Sequence, residues 1–191
     1  MVRESLEAHN QSAANSYEVR SFHEAAHAVA AIDLMMVGVT ARIGANASSR
    51  SVRTDGDTTF GCAALFDELP ERTLQRRLVV ILAGPEWELF ASVQSTRRQI
   101  LREQRDDRIA VLQVIKQLRR LCGLRGGTLK ECVEDAWNEA RSIRERRSDH
   151  INKIAVTLQE SRMLDDSQLR LLFAQSSFDQ SSVQTGETSS S

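Results

Sequence analysis

The sequence predicts a mainly α-helical fold with a small β-sheet or hairpin beside its first helix. Only 2 prolines and 9 glycines occur in 191 residues, and this scarcity favours long helices over a fold with many turns. Apolar residues make up 41% of the chain and aromatic residues only 5%, so the core should be built from aliphatic side chains. A chain of this length is expected to form one domain.

The first helix is predicted over about residues 16–36. Asn15 followed by Glu18 has the spacing of a helix N-cap and its reciprocal partner. Gly38 lies near the predicted end, where glycine relieves strain. The polar residues 1–14 before this helix are predicted to be a flexible N-terminus.

Two short segments are predicted to be strands. Residues 39–43 are mostly apolar, and residues 58–65 combine threonine, phenylalanine and small apolar residues. The intervening residues 46–57 are rich in Ser, Gly, Asp and Arg, have little to bury, and are expected to form a mobile loop. The two strands would form the small sheet or hairpin.

The rest of the chain is predicted to be helical up to a polar tail. Five further helices are expected, over residues 70–93 and 96–121, from Thr128, from Ser148 and over residues 165–173. The pair Gly84-Pro85 should bend or split the first of these. Residues 176–191, rich in Ser, Gln and Thr, are predicted to be a disordered tail, which leaves residues 15–175 as the folded domain.

The charge balance points to neither a strongly acidic nor a strongly basic partner, because 25 basic and 26 acidic residues leave a formal net charge of −1. Arginines crowd the predicted helix over residues 96–121. They are Arg97, Arg98, Arg102, Arg105, Arg108, Arg119 and Arg120. A nucleic-acid surface would be one interpretation of them. We favour a solvated basic face, because no interleaved aromatics or binding motif accompany them, and we predict no nucleic-acid partner.

Neither a membrane span nor a signal peptide is predicted. The most apolar stretch, residues 22–39, is interrupted by charged residues and histidines, whereas a spanning helix needs about 20 largely uncharged residues. The N-terminus lacks an apolar signal core.

The cysteines at positions 62, 122 and 132 are odd in number and not closely spaced, which indicates free thiols. We therefore expect a cytoplasmic protein.

The clearest chemical motif is the segment His23-Glu24-Ala25-Ala26-His27. Residues four apart on a helix lie on one face, so the two imidazoles can hold one Zn²⁺ at about 2.0–2.1 Å. Glu24 directly follows the first histidine and would lie beside the metal, where it can take a proton from bound water. The alternative interpretation is two unrelated histidines that happen to be four residues apart.

A catalytic zinc site needs a third protein ligand and an open position for water. Spacing along the sequence does not choose among the available acids and histidines. The candidates are Glu86, Glu88, Asp106, Asp107 and His150.

Four stretches, in order within residues 17–173, resemble the peptidase domain of the FtsH-type ATP-dependent zinc metalloproteases, the M41 peptidase family. They are residues 17–29 around the histidine motif, Gly61-Cys62-Ala63, Ala83-Gly84 with Glu88, and residues 134–158 followed by Leu164-Asp165. The resemblance implies a standalone helical M41-like domain with a small sheet, without the AAA ATPase module.

The resemblance also implies the remaining site residues. The third metal ligand of the family is an aspartate that opens a helix, and Asp107 holds the matching position, with Asp106 as the fallback. A glycine-containing strand lies beside the family's active site. The substrate-binding residues implied in this way are Phe60, Gly61, Cys62 and Ala63.

The expected function is zinc-dependent hydrolysis of peptide bonds in extended or unfolded polypeptides, with Glu24 as general base. A substrate could add as a strand along residues 58–65. The sequence contains no Walker motif, so a separate ATPase chain is an expected partner, and the resemblance also suggests a homo-oligomer. The alternative function is a catalytically inactive M41-like module for binding or regulation.

Overall fold

The computed structural model describes residues 2–46, 53–61, 70–92 and 94–183. Within these ranges the elements are α1 (Val2–Asp33), β1 (Val37–Asn46), β2 (Arg53–Gly61), α2 (Pro70–Ala91), α3 (Arg97–Glu103), α4 (Arg105–Leu121), α5 (Gly126–Arg146), α6 (Ser148–Ser161), β3 (Met163–Leu164) and α7 (Asp166–Val183). The protein is therefore mainly helical with a small sheet, as the sequence predicts. None of the described helices combines the length and apolar character needed to cross a membrane.

Helix α1 is central to the fold, because α2, α6, β1 and β2 all pack against it. Five of the eleven buried residues described for α1 are alanines, and Ala25, Ala28 and Ala30 have no exposed surface. Side chains this small let neighbouring elements approach the helix closely. The two histidines that stand among the alanines are consequently enclosed by the fold.

The sheet has the strand order β2-β1-β3, and all its pairs are antiparallel. On β1 the side chains alternate, with Val39, Ala41 and Ile43 buried and Arg42 exposed. This period of two is expected for a strand that turns one face to the core. In the described sheet, β2 forms an outer edge and also contacts α1.

Helix α2 connects the centre of the fold with the later helices, since it contacts α1, α4 and α5. Helix α4 turns Val111, Val114 and Leu118 inward, at the three- and four-residue spacing of an amphipathic helix. This packing on α2 brings the first turn of α4 to the face of α1 that carries the histidines.

The first and last helices are longer than predicted. Helix α1 begins at Val2, so the segment 1–14 predicted to be flexible is helical from there on, and Asn15 lies inside the helix rather than capping it. Helix α7 continues to Val183, into the predicted disordered tail, of which residues 184–191 lie outside the described ranges. Both extensions lack glycine and proline, so the backbone meets no strong helix breaker there.

Both strands begin earlier than predicted. The strand predicted over 39–43 extends over Val37–Asn46, and the strand predicted over 58–65 begins at Arg53 and is described as far as Gly61, with residues 62–65 outside the described ranges. Asn46 and residues 53–57 of the predicted loop join the ladder, because main-chain pairing does not require apolar side chains, and residues 47–52 lie outside the described ranges. Strand β3 was not predicted, since two residues are too few to show a pattern.

Two helix boundaries differ from the predictions for local backbone reasons. The single helix predicted over 96–121 is divided at Gln104, whose φ of −86° and ψ of 84° are not helical. Pro85, in contrast, does not split α2, which continues through it. A proline removes one N–H donor, here the usual partner of the Ile81 carbonyl, while the helical bonds on either side remain.

Candidate metal centre

Helix α1 presents His23 and His27 on one face, one turn apart. Their side chains are enclosed, with residue exposures of 0% and 6%. The Nε2 atoms lie 2.9 Å from each other, and the ring planes are inclined at 79°. The two rings therefore converge on one point, as the four-residue spacing predicts.

Asp107 brings a carboxylate to the same point from the first turn of α4. Its Oδ2 lies 3.0 Å from His23 Nε2 and its Oδ1 lies 3.5 Å from His27 Nε2. Ligands at 2.0–2.1 Å from a tetrahedral ion are about 3.3 Å apart, which is close to these separations. The group His23, His27 and Asp107 could hold a metal ion.

The outer nitrogen of each ring is tied to helix α2. His27 Nδ1 lies 2.7 Å from the carbonyl oxygen of Val80, and His23 Nδ1 lies 2.6 Å from Glu88 Oε1. A carbonyl oxygen can only accept a hydrogen bond, so His27 carries its proton on Nδ1. The Glu88 carboxylate favours the same tautomer in His23. In the neutral rings both Nε2 lone pairs then face the centre, which is the arrangement of metal-ligating histidines.

The electrostatics of the cluster favour positive charge at its centre. Burial alone would lower the pKa of His23, but hydrogen bonds to Asp107 and Glu88 outweigh burial and raise this pKa to about 9. Burial would raise the pKa of Asp107, yet the charge of His27 and a hydrogen bond with His23 hold it well below its usual range. The pKa of Glu88 is likewise lowered against burial, chiefly by its hydrogen bond with His23.

Gly84 on α2 leaves the space that an ion would need. A methyl group on its Cα would lie 2.5 Å from His27 Nε2 and 2.6 Å from His23 Nε2. These positions are nearly at metal–ligand distance from both nitrogens. The chain's residues therefore fit a bound metal on two counts, the convergence of its donor atoms and the open space in front of them.

Glu24 is held by contacts to both of its carboxylate oxygens, and the residue is only 1% exposed. Its Oε1 forms an ion pair with Arg20 Nε at 3.0 Å, and its Oε2 accepts a hydrogen bond of 2.7 Å from the Thr58 hydroxyl. Thr58 belongs to β2, so this hydrogen bond joins the edge strand to α1 at the metal centre.

A cleft of about 470 Å³ opens beside these residues. Glu24, His27 and Asp107 line it, together with Thr58 and Phe60 of β2. The cleft is thus in contact with the metal-ligand group, the candidate base and the outer strand.

Sequence reasoning missed a polar link behind the site. Gln104, at the break between α3 and α4, accepts a hydrogen bond of 3.0 Å from Arg20 and donates one of 2.6 Å to Glu88 Oε1. Glu88 in turn contacts His23. The link therefore connects Arg20, the partner of Glu24, with Glu88, the partner of His23. No motif contains Gln104, and only the interruption of the helical pattern would have singled it out.

The other proposed third ligands lie elsewhere or act differently. Glu86 is 2% exposed but pairs with Arg141 on α5, and His150 packs against Phe173. Asp106 is exposed and lines the cleft without joining the metal-ligand group.

Of the predicted substrate-binding residues, Phe60 lines the cleft and Gly61 ends β2. Cys62 and Ala63 lie outside the described residues. A comparison with protein-family models and another with curated proteins found no match to this chain.

Proposed function

We propose that this protein is a zinc-dependent endopeptidase of the M41 type, in which His23, His27 and Asp107 hold Zn²⁺. The observation that carries the proposal is the convergence of two imidazole nitrogens and a carboxylate on the space left open by Gly84. Catalytic zinc sites use three protein ligands of these types and keep a fourth position for water.

Glu24 is what favours hydrolysis over other metal chemistry. Two histidines and one carboxylate also occur at non-haem iron centres, so the ligand types alone do not select a reaction. Glu24 adds a carboxylate directly after the first ligand, and it lines the same cleft as His27 and Asp107. A carboxylate at this place can serve as the general base of metal-assisted hydrolysis.

Zn²⁺ in such a site activates water and polarises a carbonyl group. Glu24 accepts a proton from the attacking water and passes it to the nitrogen of the leaving amine. Arg20 and Thr58 each contact one oxygen of Glu24, so they fix the orientation of the carboxylate during these transfers.

The substrate in this proposal is an extended polypeptide that pairs with the outer edge of β2. Thr58 and Phe60 place that strand in the wall of the cleft, and main-chain pairing binds a peptide with little dependence on its sequence. Because a folded protein offers no such strand, we include in the proposal a separate ATPase chain that unfolds substrates. A homo-oligomeric assembly remains part of the proposal. The free thiols Cys122 and Cys132 support a cytoplasmic location.

A second function is favoured by the contacts of Glu24 themselves. Since Arg20 and Thr58 occupy both oxygens, the carboxylate could be a structural element of a catalytically inactive, metal-stabilised module for binding or regulation. This alternative shares the metal centre and differs from the first in its lack of turnover.

Substitution of the base separates the two functions. In Glu24→Gln we expect an unchanged zinc content and a casein cleavage rate reduced by roughly 10²- to 10⁴-fold. Glu18→Gln, at an exposed position on the same helix, is the matched control and should cleave at the wild-type rate. Full activity of Glu24→Gln would disprove the mechanism. A wild-type protein that binds zinc and cleaves no polypeptide would support the binding module instead.

A further inference from the structure

Three arginines from three different elements line the cleft beside the metal centre. They are Arg20 on α1, Arg42 on β1 and Arg77 on α2. The acids in the same wall are Glu24, Asp106 and Asp107. The numbers of basic and acidic groups are equal, so the charge that a ligand meets depends on which of them are already engaged with one another.

Three of these six groups are engaged within the site itself. Arg20 pairs with Glu24 at 3.0 Å, and Asp107 faces the two imidazoles. Arg77 differs, because it is half-buried and forms neither an ion pair nor a side-chain hydrogen bond with any described residue. A guanidinium in a cleft without an acid beside it attracts anionic ligands. Arg42 also lines the cleft, but it already has an interaction partner, so the inference rests on Arg77.

The position of Arg77 fixes how far this charge lies from the reaction. Arg77, Ile81 and Gly84 follow one another on α2 at spacings of four and three residues, and the first two line the cleft. Seven helical residues correspond to about 10 Å along the axis. An extended peptide covers this length with about three residues.

We propose that the cleft selects polypeptides that carry a carboxylate two or three residues from the bond to be cleaved, and that Arg77 is the main residue recognising it. The inference rests on the peptidase function proposed above. The carboxylate has two sources, the side chain of Asp or Glu within the chain, or a free C-terminus. The first makes the protein an endopeptidase for acidic segments, whereas the second directs it to chain ends.

The test compares four fluorescent peptides of one length. One carries an internal Glu and an amidated C-terminus, one is neutral with a free C-terminus, one is neutral and amidated, and one carries Lys in place of Glu. Binding is measured by fluorescence anisotropy with the full chain in the presence of a chelator, so that no peptide is cleaved. Cleavage is measured separately with zinc present.

We expect the Glu peptide to bind about fivefold more tightly than the neutral amidated peptide, which corresponds to the upper end of what one partly exposed charge pair contributes. The Lys peptide should bind more weakly than the neutral one. The advantage should disappear in Arg77→Gln and reverse in favour of Lys in Arg77→Glu. Arg72→Gln, an exposed arginine of the same helix, is the matched control and should keep the preference. An advantage of the free C-terminus instead would support the inference and assign the second source.

Equal binding of all four peptides would overturn the inference, as would an acidic preference that persists unchanged in Arg77→Gln. A failure of this inference can be distinguished from a failure of the proposed peptidase function. Cleavage of all peptides without preference removes the inference and keeps the peptidase, whereas tight Arg77-dependent binding of Glu peptides without cleavage keeps the carboxylate site and removes the peptidase.

Discussion

Replacement of Gly84 by alanine should close the proposed metal site by adding only one methyl group. The added carbon would lie 2.5 Å from His27 Nε2, whereas ordinary contacts begin at 3.4 Å, so the two groups must separate by 3.4 − 2.5 = 0.9 Å. The same carbon would lie 2.6 Å from His23 Nε2. The clash is therefore with both nitrogen ligands at once.

The histidine rings cannot move aside without a cost in free energy. Both are tied by Nδ1 to α2, the helix that carries Gly84, through Val80 and Glu88. Turning a ring by about 30° costs about 0.5–1.5 kcal/mol, and a buried hydrogen bond lost in the process costs about 1–3 kcal/mol. Alanine has a higher helix propensity than glycine, which offsets about 0.8–1.0 kcal/mol of this cost. For one displaced ring we expect a net destabilisation of the metal-free protein of about 0.5–3.7 kcal/mol.

The effect on zinc should be larger than the effect on stability. The methyl group occupies nearly the position of the ion, and changes to groups that only orient ligands already lower affinity about 10- to 100-fold. We expect Gly84→Ala to lose at least about 100-fold in zinc affinity, measured by competition with a chromophoric chelator. Urea unfolding in the presence of a chelator measures the stability change separately.

Gly127→Ala provides the matched control. Gly127 is a helical residue of α5, and a methyl group there would meet nothing within 4 Å. It should leave zinc affinity unchanged and stabilise the protein by less than about 1 kcal/mol. If Gly84→Ala bound zinc as tightly as wild type, the space in front of the histidines would not be a metal site.

Two further changes test the link behind the site and the packing of α1. Gln104→Leu removes the contacts to Arg20 and Glu88 and should reduce zinc affinity and kcat about tenfold each. Gln113→Leu, at an exposed position on α4, should reduce neither, and an equal effect of both would point to general destabilisation. Asp33 has a lowered pKa because hydrogen bonds from Arg146 and Arg147 outweigh the effect of burial. Its stabilising contribution is therefore present above its unfolded pKa of about 3.8 and is lost as the pH falls below that value. Asp33→Asn should cost about 1 kcal/mol at pH 7 and nothing near pH 2 in urea unfolding, and a pH-independent cost would contradict this assignment.

The histidine pair could be predicted from the sequence because its geometry is local. A four-residue spacing on a helix fixes the relative placement of two side chains whatever the rest of the fold does. Asp107 has no such local relation to His23 and His27. The residues alone left five candidates for the third ligand, and only the family resemblance favoured Asp107.

The contacts around the ligands could not be predicted, since they depend on packing between helices. The role of Gly84 comes from the close approach of α2 to α1, and that of Gln104 from a break between two helices predicted as one. Glu86 and Glu88 are both buried and only two residues apart, yet one faces Arg141 and the other faces His23. Sequence spacing on α2 did not indicate which face would meet α1.

The difference between local patterns and packing between distant segments also explains where the predicted fold differs from the observed one. Long helices were recognised because their apolar residues repeat over many turns, whereas the extent of α1 and α7 depends on polar segments without such a repeat. The sequence predicts a loop for the polar half of β2, because main-chain pairing with β1 leaves no apolar pattern in the side chains. Strand β3 depends entirely on its contact with β1.

The central claim is that one ion joins α1 to α4, and elemental analysis of purified protein tests it most directly. Wild type should contain one zinc per chain after dialysis, and both His27→Ala and Asp107→Ala should contain almost none. The same zinc content in all three proteins would contradict the proposed site and, with it, the proposed peptidase function.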